Sequence, residues 1–177
     1  MSEIGRLARA YEEGPLDPRF TPPYSTLHVG MIRGGTARNI LARECVFHWE
    51  FRGLPGVTTA SAIAKVQAFV DEVATPRLTR FVSGPSIDTT IEVDVPPLAP
   101  APGSAAERLA LRLTPSNQTI AVSFATESGH FQAAGLPTIV CGPGSIDQAH
   151  KPDEFIDEAQ LIACLEFLER LADDLAR

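Results

Sequence analysis

The segment Pro96-Pro97-Leu98-Ala99-Pro100-Ala101-Pro102-Gly103 limits what this chain can become more than any other feature. Each proline withholds a backbone N–H and fixes φ, so neither a helix nor an inner strand can run through it. What remains is a stiff, extended connection. A domain boundary is placed there, giving residues 1–95 and residues 96–177. A chain of 177 residues accommodates two small units, and 44% hydrophobic residues is enough to give each a core.

The first unit reads as α+β. Ile4, Leu7, Ala8 and Tyr11 recur at helical spacing, and Gly14-Pro15 ends that helix. Residues 25–32 read as a strand, broken by Gly34-Gly35. In residues 45–52, Cys45, Phe47, Trp49 and Phe51 alternate with Val46, His48, Glu50 and Arg52, which is a strand covered on one face. Thr58 or Thr59 can cap the next helix, whose apolar stripe is Ile63, Val66, Phe69, Val70 and Val73. Residues 86–95 alternate again and predict a further strand. The order helix, strand, strand, helix, strand is a two-layer split βαβ (ferredoxin-like) unit lacking its first strand.

Beyond the proline segment, helices over residues 104–113, about 129–134 and 158–175 alternate with predicted strands at 119–124 and 138–141. This pattern predicts the end of a parallel α/β sheet. So short a sheet is not stable alone, so the main body of such a domain is expected to be missing.

Composition narrows the function. A net charge of −7 without a Lys/Arg cluster argues against nucleic acid. No apolar run approaches the ~18 residues of a membrane span, and the first residues do not have the layout of a signal peptide, so a cytoplasmic protein is expected. Cys45, Cys141 and Cys164 form no CxxC pair and are expected as buried small hydrophobes.

Chemistry is expected in loops at the carboxyl ends of strands. Residues 125–130 open a helix whose N–H groups suit an anion. Residues 142–154 carry His150, Lys151 and several carboxylates. His150 reads as a metal ligand, a general base or a solvated loop residue. Asp153 or Glu154 could orient its ring or belong to the acidic first turn of the last helix. Arg52 and His48 share a polar strand face. That face is either solvent-exposed or a place where Arg52 grips a carboxylate. The loop Gly34-Gly35-Thr36-Ala37-Arg38-Asn39 is either a plain hairpin connection or a place of close approach to a ligand. Glu12-Glu13 is read as solvated surface.

Several segments, in order, resemble the acetylornithine deacetylases, within the co-catalytic metallopeptidases that include aminoacylases and succinyl-diaminopimelate desuccinylases. They are Pro23-Tyr24-Ser25-Thr26-Leu27 with Val29-Gly30; Gly34-Gly35-Thr36-Ala37 with Asn39-Ile40; residues 47–52 with Leu54-Pro55-Gly56; Phe124-Ala125-Thr126-Glu127; and Cys141-Gly142-Pro143-Gly144 through His150-Lys151-Pro152-Asp153-Glu154-Phe155. The resemblance implies that residues 1–95 are most of a lid that dimerises and that residues 96–177 are the terminal part of a catalytic α/β domain. It implies hydrolysis of a small N-acyl amino acid, N-acetylornithine above all, as in arginine biosynthesis, with a pair of divalent ions such as zinc or cobalt. By resemblance His150 is a metal ligand, Asn39 and Arg52 contact substrate, and Thr126 and Gly129 line the substrate pocket. Arg33, Ala42 and His130 depart from the family pattern.

The family's other metal ligands, its paired glutamates and its lid histidine have no counterpart here. The chain alone is therefore expected to bind metal weakly and to be inactive. The alternatives are a non-catalytic oligomerisation or regulatory module derived from the same family, and a related desuccinylase or aminoacylase.

Overall fold

A computed structural model describes residues 1–176. By contacts the chain divides into one unit of residues 1–97 with 121–127, and another of residues 98–120 with those from 128 onward.

In the first unit, α1 (Ser2–Glu12) buries Ile4, Leu7 and Tyr11, one helical face of apolar residues three and four apart. It lies on an antiparallel pair, β1 (Thr26–Gly34) and β2 (Cys45–Arg52). Val29 faces Trp49, but the next pair is Met31 with His48, so Gly30 is an extra residue in β1. The bulge resets the alternation. Ile32 rather than Met31 continues the face of Leu27 and Val29, and Met31 and Arg33 join His48 on the other side. Thr58 Oγ1 accepts the Ser61 N–H and caps α2 (Thr59–Phe69). That helix widens into a π turn at Val70–Ala74 and tightens again in α3 (Thr75–Leu78). The widened turn comes just before Pro76, whose ring cannot follow an ordinary α turn without clashing.

Ile4, Leu7, Tyr11, Leu27 and Val66 make the core, and Val29, Phe47, Trp49, Phe51 and Val57 pack against it. Burial of Ile4, Leu7 or Leu27 contributes about 1.5–3 kcal/mol each. Tyr11 and Phe51 meet with ring centroids 5.4 Å apart. The expected apolar strand face is present, and α1 covers it together with Val66 of α2.

The α+β class holds, but three expected strands do not form among the described residues. Residues 86–95 form no ladder and bend at Glu92, and Ile91 and Val93 are 56% and 77% exposed. One tie to the sheet is His48 Nδ1 to Glu92 Oε2 at 3.3 Å. Alternation signals extended backbone, whereas a strand also needs a row of hydrogen-bond partners. The sheet therefore has two strands, without the third that a split βαβ arrangement requires. Residues 119–124 and 138–141 likewise have no strand beside them, so the parallel sheet is not formed.

The helices of the second unit do form. In α4 (Ala105–Leu113), Ser104 Oγ accepts the Glu107 N–H at 3.2 Å, and the Glu107 carboxylate accepts the Gly103 N–H. That backbone bond, followed by one from Thr119, holds the Glu107 carboxyl below its ordinary pKa. A short α5 (Ser128–Ala133) follows. Asp157 caps α6 (Glu158–Leu175), and Arg170 Nε donates to the Leu113 carbonyl at 2.8 Å. The apolar face of α6 stays open: Ile162, Leu165 and Leu168 are each more than half exposed. The cysteines also differ from expectation. Cys45 and Cys141 are exposed and Cys164 is half-buried, because the runs that hold Cys45 and Cys141 are not covered by further structure.

Candidate functional site

Arg52 is the last residue of β2. Period two puts it with His48 and Glu50 on the face away from α1, opposite Thr26 and His28 of β1. Its Nε donates to Glu50 Oε1, and its Nη1 to the Ser123 carbonyl at 3.4 Å. Ser123 is itself tied down, its Oγ donating to the Thr21 carbonyl at 2.8 Å. Among the described residues Nη2 takes no protein partner, and the side chain is 55% exposed. An arginine held at Nε and Nη1, with Nη2 open, can receive a carboxylate.

Asn39 lies in the exposed loop between β1 and β2, in a turn where Ile40 N–H donates to the Ala37 carbonyl at 3.3 Å. Arg33 is on β1 opposite Val46, and Ala42 is exposed in the same loop. Thr126 is half-buried in the segment that also carries Ser123, within the first unit. Gly129 is buried in α5, and His130 beside it is exposed.

His150 is exposed in the loop before α6. Its backbone is left-handed, with φ 60°, and its N–H donates to Glu154 Oε2 at 3.0 Å. Glu154 thus holds the backbone of His150 and not its ring, and Asp153 takes a left-handed φ of 58°. Neither acid is in the first turn of α6, where Glu158 stands. No three His, Cys, Asp or Glu side chains come together as a metal cage among the described residues. One imidazole by itself does not fit a divalent pair.

An apolar cleft of about 260 Å³ lies in the second unit among Ala106, Leu109, Cys141, Phe167 and Leu171. Burial, and then Cys164, push the Cys141 thiol up. The cleft has no charged lining and offers no chemistry of its own. No helix among the described residues is long and apolar enough to cross a membrane.

The most informative comparison falls on the unit that carries Arg52 and Asn39: residues 1–77 match the family described as the peptidase dimerisation domain. The chain is 33% identical over 174 residues to an acetylornithine deacetylase of Yersinia pseudotuberculosis, covering 98% of this chain and 43% of the relative. It is 32% identical over 158 residues to the acetylornithine deacetylase of Photorhabdus laumondii, covering 89% of this chain and 39% of the relative. It is 35% identical over 145 residues to that of Erwinia tasmaniensis, covering 79% of this chain and 35% of the relative. The chain thus spans less than half the length of these relatives. The similarity to the Yersinia relative runs well past residue 77, into the segments that hold Thr126, Gly129 and His150.

Sequence reasoning missed the partners of Arg52. Glu50 was legible, since it is two residues away on the same strand face. Ser123 gave no signal, because 71 residues separate it from Arg52.

Proposed function

We propose that these residues are most of the lid, residues 1–95, and the terminal part of the catalytic domain, residues 96–177, of a metal-dependent hydrolase that deacylates N-acyl amino acids. N-acetylornithine is the first substrate to test. The supporting observation is the 33% identity to an acetylornithine deacetylase along 98% of the chain. In this reading Arg52 and Asn39 hold the amino-acid part of the substrate, Thr126 and Gly129 line its pocket, and the lid pairs with a second copy. His150 contributes one ligand to a divalent pair, zinc or cobalt, whose remaining ligands come from the portion of the relatives that this chain does not match. Such an ion pair would polarise the acyl carbonyl and activate water.

The test is a chimera in which the uncovered portion of the Yersinia relative is joined to these residues. Release of ornithine from N-acetylornithine is expected, falling at least tenfold in His150→Ala and in Arg52→Lys. A folded chimera with no deacylation rejects the reading. A second reading, a non-catalytic oligomerisation module, is supported by the match of residues 1–77 to the peptidase dimerisation domain. It predicts stable self-association with no deacylation in the chimera.

A further inference from the structure

Glu50 and the segment around Ser123 surround Arg52 in a way that the substrate role alone does not require. The guanidinium is exposed, and an exposed ion pair two residues apart on one strand adds little stability. Both bonds nevertheless fall on the inner part of the group. Glu50 takes the Nε proton, and the Ser123 carbonyl takes one from Nη1. Ser123 is tethered in turn by its Oγ, which donates to the Thr21 carbonyl. A long, flexible arginine is thereby held at two points, with Nη2 left outward. Preorganisation of this kind lowers the entropy lost when an anion binds.

We infer that Glu50 and the Ser123 carbonyl are positioning groups that aim the Nη2 edge of Arg52 at the carboxylate of an N-acyl amino acid. This rests on the proposed substrate role of Arg52 and adds the groups that make the arginine directional. Charge alone predicts the reverse effect. Glu50 is an anion beside the cation, so removing it would raise the local positive potential and strengthen anion binding. The sign of the change therefore separates orientation from simple electrostatics.

The experiment uses the 177-residue chain and the ¹⁵N–¹H signal of Arg52 Nε, assigned by its loss in Arg52→Lys. In the ligand-free chain the signal is expected to be resolved and slow to exchange with water. It should survive in Glu50→Gln, which keeps an acceptor, and broaden away in Glu50→Ala. N-acetylglycine is then titrated, with the uncharged N-acetylglycine amide as control. Binding is expected to shift Arg52 in the unmutated chain and to weaken about tenfold in Glu50→Ala, with Glu50→Gln within threefold. Equal or tighter binding by Glu50→Ala, or an unchanged Nε signal in it, overturns the positioning role and leaves the carboxylate site standing. No response of Arg52 to N-acetylglycine in the unmutated chain overturns both.

Discussion

The backbone N–H of Leu54 donates to Ser25 Oγ at 3.0 Å, and Ser25 is only 1% exposed. The bond ties the residue before β1 to the turn after β2, across the open ends of the hairpin that carries Arg52. A buried donor left without its acceptor costs about 1–3 kcal/mol. Ser25→Ala is therefore expected to lower unfolding stability by that amount, measured by urea denaturation. A change within error would mean that water or another group satisfies Leu54.

The two units differ in how well they bury their apolar residues, and this predicts unequal responses to truncation. Leu7 is 5% exposed in the core, whereas Leu165 on α6 is 59% exposed. Leu7→Ala should cost about 2–5 kcal/mol through lost burial and a cavity. Leu165→Ala should change stability by less than about 0.5 kcal/mol, as exposed substitutions do. Both are read from denaturation midpoints at constant slope. A large loss in Leu165→Ala would show that something covers α6 in solution.

This contrast also explains what could be read from the sequence. Every expected helix formed, because capping and spacing are local: Thr58, Ser104 and Asp157 mark helix starts by bonds that span only a few residues. β1 and β2 formed because they follow one another in the chain, joined by the loop of residues 35–44, and each supplies the other's ladder partners. Residues 86–95, 119–124 and 138–141 had the right residue types but no neighbouring edge to complete a ladder, and strand propensity cannot supply one. At the candidate site, Arg52 and Glu50 were on one face by period two, while the contact with Ser123 depended on distant chain returning to β2.

Asp17 gives a pH signature. Its carboxylate accepts hydrogen bonds from the Arg19 guanidinium, with Nη2 to Oδ2 at 2.6 Å, and these hold its pKa below the ordinary 3.8. A depressed carboxyl stabilises the fold above its unfolded pKa, and that contribution is lost as pH falls through the lower folded value. The stability gap between the unmutated chain and Asp17→Asn should be full at neutral pH and close below about pH 3.8. Because Arg19 is exposed, ~0.5 M salt should narrow the gap at neutral pH. A gap that widened in acid would contradict the assignment.

The metal prediction concerns this chain alone. Tight zinc binding needs about three protein ligands, each replacing a water that the ion gives up reluctantly. His150 stands exposed on a left-handed turn, and among the described residues no cluster of three candidate ligands forms around it or elsewhere. The Glu154 carboxylate accepts the backbone N–H of His150. Calorimetric titration of the 177 residues with zinc should therefore give no submicromolar stoichiometric site, and His150→Ala should leave the isotherm unchanged. In the chimera with the Yersinia portion the two forms should separate, with tight zinc binding that weakens at least tenfold in His150→Ala. Tight binding by the chain alone that is lost in His150→Ala would mean that residues 142–154 fold around the ion and supply ligands themselves.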